Sequence, residues 1–229
     1  MKLAGAVSAA MALRAPVAAA ASAYRPSIPS TVDIVPTCDV GPNGVTTRCY
    51  FPDLSKWPRP PTATENALLK DLNAHPIYLP DARPGAAVEV LIRRRFEHGR
   101  PVEVDAAPPA PANAPLIGAV TWKLVPDGPE LAKYYPDRAF RNGIGGSAIV
   151  DCQVGPAGDL VHCWVSGEEP NDQGFGTGLL KITICLQVSP TDAQDVSLVG
   201  RPIRIGALFG TVSGHPNEFG VNLTVIDKR

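Results

Sequence analysis

The sequence is poor in charged side chains and carries no strong charge of either sign. Lys, Arg, Asp and Glu make up 19% of the 229 residues, and the formal net charge is −1. A protein that holds a phosphate backbone needs a basic surface, so this balance argues against nucleic acid as a partner. Beyond the first residues, no apolar run reaches the roughly 18–20 residues that span a bilayer.

The sequence also lacks a motif that would bring catalytic groups together. None of the four histidines shares a short motif with a carboxylate or a nucleophile; they are His75, His98, His162 and His215. The glycines at 174, 176 and 178 fit neither the dinucleotide nor the Walker phosphate loop and indicate a flexible lead into a helix. Glu168 and Glu169 are interpreted as a solvated turn. We therefore expect a protein that is not an enzyme, with no cofactor and no metal.

The N-terminal residues have the layout of an export signal. Lys2 is followed by an apolar run over residues 3–13, and Ala21-Ser22-Ala23 is a small-x-small cleavage site. This pattern predicts a signal peptide over residues 1–23 and a periplasmic protein. The alternative is a retained inner-membrane anchor facing the periplasm, and Arg14 argues against it by interrupting the apolar stretch.

Two segments of the chain repeat one another. Residues 38–49 and 152–163 both read Cys-x-Val-Gly-Pro-x-Gly and end on a second Cys at the same spacing. Each is followed by a Leu-Leu-Lys run and then by a β-rich stretch, at 87–96 and 202–209. This order predicts a duplication with one domain over residues 30–97 and another over 119–229. Residues 98–118, rich in Pro and Ala, are the predicted linker.

Each repeat begins with a predicted β-hairpin, because Gly-Pro-x-Gly favours a turn between two alternating runs. Pairing Cys152 with Cys163 puts Val150 opposite Val165 and Val154 opposite Val161, with the apolar residues on one face. A slip by one residue would destroy this sorting.

Facing residues at a non-hydrogen-bonded position lie roughly 4.5 Å apart, within the range that a disulfide accepts. We therefore predict the disulfides Cys38–Cys49 and Cys152–Cys163. A zinc site is the alternative, but the sequence lacks the close Cys-x-x-Cys spacing. Cys185 has no counterpart in the first copy and is interpreted as a small buried apolar residue in a helix.

A helix follows each predicted hairpin. Thr62 and Glu65 form a capping box, and Pro76 ends that helix at His75. The second helix has an apolar stripe at Phe175, Leu179, Ile182 and Leu186. Each unit is thus β-β-α-β. The predicted fold class is α+β, with two small tandem domains that each place one helix on an antiparallel sheet.

The second copy resembles the TonB C-terminal domain over about residues 123–209. The resemblance lies in the Tyr-Pro and glycine-containing segment 134–147, in residues 150–158 and 166–170, and in the last strand from 200 to 205. The first copy resembles only the part from the first strand onward, over about residues 32–96.

The resemblance implies binding of an envelope protein or receptor segment, linked to transport across the envelope. In that family a partner segment adds as a strand to the edge of the sheet. The equivalent edge would be residues 201–208, with Arg201, Ile203 and Ile205, helped by Tyr135 and Pro136. The alternative is that Tyr135 and Pro136 only cap the fold. Trp164 is a further candidate anchor, unless it packs on the linker or the other domain.

The sequence departs from an energy transducer of this family, because it has two domains and lacks the long Pro-Lys/Pro-Glu segment that spans the periplasm. We therefore favour a periplasmic binding module over an anchored transducer. A structural scaffold is the other alternative. Residues 219–225 form a candidate extra strand that would cover the proposed edge. The sequence leaves the oligomeric state open.

Overall fold

Short alternating runs broken by Gly and Pro give this chain more strand than helix. The computed structural model describes residues 30–51, 60–79, 82–97, 100–103, 114–212 and 215–227. It is a mixed α+β structure with several small antiparallel sheets. The strands are β1 (Ser30–Ile34), β2 (Thr37–Val40), β3 (Thr46–Tyr50), β4 (Ala87–Glu89), β5 (Ile92–Glu97), β6 (Arg100–Glu103), β7 (Trp122–Leu124), β8 (Gly146–Val154), β9 (Leu160–Glu169), β10 (Gln187–Val188), β11 (Pro202–Val212) and β12 (His215–Ile226). The helices are α1 (Ala63–Ala74), α2 (Gly128–Ala132), α3 (Asp137–Arg141) and α4 (Phe175–Thr183).

The second half is built on a four-stranded sheet with the order β12-β11-β8-β9. Helix α4 packs on one face of β8 and β9. The four residues of its predicted stripe are all buried in the core that it forms with the sheet. Val150, Ile203 and Ile205 contribute to the same core from β8 and β11 and have no exposed surface.

The first half contains a smaller sheet with the order β3-β2-β4. Cys38 on the central strand lies opposite Cys49 on one side and Val88 on the other. The same arrangement occurs in the second half, where Ile203 faces Cys152 on the central strand. Both halves therefore place the first strand of the hairpin in the middle and the strand that follows the helix beside it.

Both predicted disulfides are present. The Cα atoms lie 4.0 Å apart in Cys38–Cys49 and 4.1 Å apart in Cys152–Cys163. Both bridges are buried, so each joins its two strands inside the core. Cys185 is free and partly buried, just after α4.

The register of the second hairpin was predicted only in part. Val150 lies opposite Val165 as expected, but Val154 lies opposite Leu160 and not Val161. The register shifts between Asp151 and Gln153, close to His162, which has a positive φ of 51°. A bulge adds one residue to one strand, so counting outward from the cysteines fails beyond it.

Helix α1 begins and ends where the sequence predicts. The Thr62 hydroxyl accepts a hydrogen bond from the Glu65 amide at 3.2 Å, and the Glu65 carboxylate accepts one from the Thr62 amide at 2.6 Å. This reciprocal pair satisfies two backbone donors that a helix start leaves open. The helix ends at Ala74, with His75 as its C-cap ahead of Pro76.

The predicted strand over residues 87–96 is wrong in one respect, because it is two strands in two sheets. Strand β4 stays with the first hairpin, whereas β5 pairs with β1 and β6 in a separate three-stranded sheet. Strand β6 also falls inside the predicted linker 98–118. Residues 98–99 and 104–113 of that linker lie outside the described residues.

Val90 and Leu91, between β4 and β5, join the two halves. Val90 forms a β-bridge with Trp164 of β9, and the Leu91 amide donates to the Cys163 carbonyl at 2.9 Å. Neighbours along a strand point to opposite faces. Val90 and Trp164 accordingly enter the core under α1, while Leu91 and Cys163 enter the core under α4. Each half thus completes the core of the other.

Within the part of the chain that the structure describes, no helix is long and apolar enough to cross a membrane. Residues 1–23, predicted as a signal peptide with an anchor as the alternative, lie outside that part. The two disulfides are typical of an oxidising, extracytoplasmic compartment.

Candidate functional site

Strand β11 contains most of the predicted binding edge, and other strands pair with both of its sides. Strand β8 pairs with one side and β12 with the other. Ile203 and Ile205 are buried in the core, and the Arg201 carbonyl accepts from the Val154 amide at 3.1 Å. The predicted unpaired edge is therefore wrong over Arg204–Leu208, where β12 pairs with β11. The candidate extra strand at 219–225 belongs to β12 and covers that edge.

Tyr135 and Pro136 hold the start of the second half against its core. The Tyr135 hydroxyl donates to the Ile144 carbonyl at 2.8 Å. Its buried ring meets the rings of Phe175 and Phe209 edge-on, with centroids 5.9 and 5.6 Å away. Pro136 is the N-cap of α3. These contacts agree with the alternative in which the two residues cap the fold.

Trp164 is not an exposed anchor. Its side chain lies on the face of β9 opposite α4, as the alternation predicts, but only 4% of the residue is exposed. The ring packs in the core under α1 with residues of the first half. The first half therefore covers this tryptophan, which was the alternative to an exposed anchor.

Other elements also cover the outer edge of β3 and part of the outer edge of β9. Val90 and Leu91 lie along β9. At β3, the Asn73 side chain accepts from the Cys49 amide at 2.7 Å and donates to the Cys49 carbonyl at 2.9 Å. The Thr46 amide donates to the Ile77 carbonyl at 2.9 Å. A side-chain amide and an extended segment thus occupy the place of a neighbouring strand.

The edges of the β1-β5-β6 sheet are short and carry charge. Strand β1 has five residues and β6 has four. Strand β6 includes Arg100, Pro101 and Glu103, and Asp33 on β1 forms an ion pair with Arg93 at 2.8 Å. Shortness, charge and proline all disfavour the addition of another strand.

Strand β12 has none of this protection over most of its length. It contains 12 residues, and among the described strands only β11 pairs with it. Residues 219–226 include no charged side chain and no proline. An uncharged stretch of strand with one unpaired edge offers a row of N–H and C=O groups to another strand. We take this edge as the candidate functional site.

The side chains of residues 221–225 on the two faces of β12 are also uncharged, and α2 lies against this strand. Val221, Leu223 and Val225 pack against the core on the α4 side. Asn222 and Thr224 are exposed on the other face, and Leu208, which lies opposite Asn222, is 62% exposed. Sequence reasoning missed Asn222 and Thr224 as site residues. The signal that could have found them was the alternation within 219–225.

Glu168 does not lie in a solvated turn; its carboxylate caps the start of α4. One oxygen accepts from the amides of Gln173, Gly174 and Phe175 at 2.8–3.2 Å, and the other accepts from Gly176 at 3.1 Å. A carboxylate is favourable at the positive end of a helix. Since a side chain of the chain itself occupies this position, the glycines there do not form an open phosphate loop.

A second carboxylate lies where the two halves meet. The Thr177 hydroxyl of α4 donates to the Glu89 carboxylate of β4 at 2.6 Å. Burial raises the pKa of Glu89, and the negative charge of Glu168 raises it further. The hydrogen bond from Thr177 and the positive charge of Lys181 act in the opposite direction. The net effect is a raised pKa, so folding favours the protonated form.

We expect Glu89→Gln to remove a pH-dependent loss of stability. In the wild type the Glu89 carboxylate binds a proton more tightly in the folded protein than in the unfolded chain. The protein's free energy of unfolding should therefore fall as pH rises from the ordinary value of 4.5 through the raised pKa. Glutamine keeps an acceptor for Thr177 and cannot ionise, so the variant should be the more stable protein above that window. Urea unfolding at a series of pH values measures the difference.

Glu169→Gln is the matched control, because it removes one carboxylate from an exposed position on β9, next to Glu168. Equal pH profiles for the wild type and Glu89→Gln would contradict the account of the Glu89 site.

The described residues contain no group of three His, Cys, Asp or Glu that could hold a metal.

The Tyr134 hydroxyl lies 3.2 Å from Sγ of Cys185, and this contact together with burial raises the pKa of Tyr134 to about 12. Comparison of the chain with protein-family models, curated proteins and solved structures finds no match.

Proposed function

We propose that this chain is a periplasmic protein-binding module that captures an extended segment of an envelope protein by strand addition to β12. One observation carries the proposal: residues 219–226 of β12 form an uncharged edge without a described partner strand, whereas other elements cover the edge of β3 and part of the edge of β9. In strand addition, main-chain hydrogen bonds supply affinity and alternate side chains supply specificity. The disulfides support export.

The resemblance to the TonB C-terminal domain supports the same mode of binding at a different strand. The resemblance implied a binding edge at residues 201–208, and β12 pairs with this segment from Arg204 onward. The added strand continues the sheet in the same direction, so the binding edge moves outward by one strand. The proposal thus keeps the mechanism that the resemblance implies and changes the residues that perform it.

A structural scaffold is the second candidate function, and the contact between the halves favours it. Val90, Leu91 and Trp164 tie the two cores together, and the covered edge of β3 leaves no equivalent site in the first half. A scaffold has no need of an open edge at β12. The two functions therefore differ in what β12 contacts in the cell.

A photo-crosslinking residue at Asn222, introduced in the native host, tests the proposal. We expect an adduct in which mass spectrometry identifies an extended segment of an envelope protein. A synthetic peptide with that sequence should then slow exchange at alternate amides within residues 220–226, those that point away from β11, because the added strand bonds to them.

The photo-crosslinking residue introduced in place of Thr47 is the matched control, since Thr47 is exposed on β3, whose edge is covered. The proposal fails if Asn222 gives no adduct, or if the identified peptide leaves amide exchange of β12 unchanged.

A further inference from the structure

We infer that the open edge of β12 is self-complementary and that two copies of this chain pair there, β12 against β12, about a two-fold axis at Leu223. The inference rests on the open edge of the proposed function and names a second occupant for it.

The sequence of the strand supports self-pairing. Residues 221–225 read Val-Asn-Leu-Thr-Val, which is the same pattern of apolar and polar residues in either direction. In an antiparallel pair with Leu223 on the axis, Val221 faces Val225 of the second copy, and Asn222 faces its Thr224. Apolar residues therefore meet apolar residues and polar residues meet polar ones across the axis, so the strand is complementary to a second copy of itself.

The packing of the strand supports the same register. Val221, Leu223 and Val225 lie opposite Phe209, Ala207 and Ile205 of β11, so they share the face that packs on the core. Leu223 and Val225 keep part of their surface exposed. A second copy in this register would cover that surface with the same apolar side chains. On the other face, an amide would lie opposite a hydroxyl, which is a favourable cross-strand pair.

The paired residues of β12 themselves carry no charge that would oppose the pairing. In a symmetric strand pair, a charged residue on the two-fold axis lies opposite the same residue of the second copy. A charged residue beside the axis also lies close to the same residue of the second copy. Like charges directly opposite each other destabilise such pairs. Residues 219–226 contain no charge, and the whole chain carries a formal net charge of only −1.

Pairing would join two four-stranded sheets into one continuous sheet of eight strands. It would also occupy the groups that an extended partner segment needs. Self-pairing and capture of another protein are therefore mutually exclusive at this edge, and the concentration of the chain would set the balance between them.

Charge-swap variants test both the pairing and its register. One variant carries Asn222→Lys with Thr224→Lys, and the other carries Asn222→Glu with Thr224→Glu; both positions are exposed. Across the two-fold axis each variant places like charges opposite each other, so its dimer dissociation constant should rise at least about tenfold. An equimolar mixture places Lys opposite Glu and should restore a dimer. Sedimentation velocity over a concentration series measures all three samples and the wild type.

Thr47→Lys and Thr47→Glu are the matched controls, because they put the same charges on the covered β3 edge and should leave the wild-type dimer intact. A monomeric wild type at every concentration overturns the inference. So does a dimer that survives both double substitutions, or a mixture that stays monomeric. If the wild type is monomeric while the Asn222 crosslinker still captures an envelope segment, self-pairing is wrong and the proposed function stands.

Discussion

Replacing Trp164 with alanine should destabilise the protein by about 3–5 kcal/mol, the range for truncating a buried tryptophan. The side chain is 4% exposed, and it belongs to β9 of the second half while it packs in the core of the first half. Its removal should therefore open a cavity at the contact between the halves. Urea unfolding followed by circular dichroism measures the loss.

The same substitution should also weaken the cooperativity between the halves. The wild type shares side chains across two cores and should unfold in one transition. Trp164→Ala removes the largest shared side chain, so we expect a broader or split transition with a lower m-value. Trp164→Phe keeps an aromatic ring and should retain most of the stability. A loss below about 1 kcal/mol in Trp164→Ala would show that the halves do not depend on this contact.

Local patterns in the sequence predicted the parts of the fold that neighbouring residues determine. The Gly-Pro-x-Gly turns and the paired cysteines predict both hairpins and both bridges, although a bulge beside the bridge changes the register between it and the turn. The Thr62 capping box and Pro76 fix both ends of α1, since these effects act within one helical turn. These elements need no knowledge of the rest of the chain.

Contacts between distant segments were beyond the reach of these patterns. Alternation shows which face of β9 holds Trp164, but it does not show that Val90 brings another core to that face. It likewise shows that residues 219–225 favour a strand without showing whether that strand pairs with β11. Glu168 resembled a loop residue because the helix that it caps begins several residues later. In each case the environment of the residue or strand depends on a contact with a segment that is distant in sequence or lies beyond a turn.

The candidate site illustrates the same limit. The resemblance and the β-rich stretch at 202–209 both indicated the strand that is β11, and its residues do form a strand of the four-stranded sheet. Addition of β12 buries that edge and creates a new one whose residues had no motif to mark them. Which strand is outermost depends on the whole sheet, so the edge could be located only after the strand order was known.

Removing the Cys152–Cys163 bridge by a double substitution to alanine should lower the free energy of unfolding by about 3 kcal/mol in the chain-entropy model. The two cysteines are 11 residues apart, and so are Cys38 and Cys49. Loops of equal length restrict the unfolded chain equally, so the two double variants should lose about the same stability. Alanine is the suitable replacement, because a serine hydroxyl would be buried without an assured partner.

Cys185→Ala is the control for the loss of a cysteine that forms no bridge, and it should change stability much less than either double variant. The comparison also tests the compartment. A chain that needs both bridges should lose stability in a reducing buffer by about the sum of the two double variants, if the sites act independently. Such a protein depends on an oxidising compartment. If the reduced wild type is as stable as the oxidised one, the bridges add nothing to the stability of the fold. The disulfides would then give no support to export into an oxidising compartment.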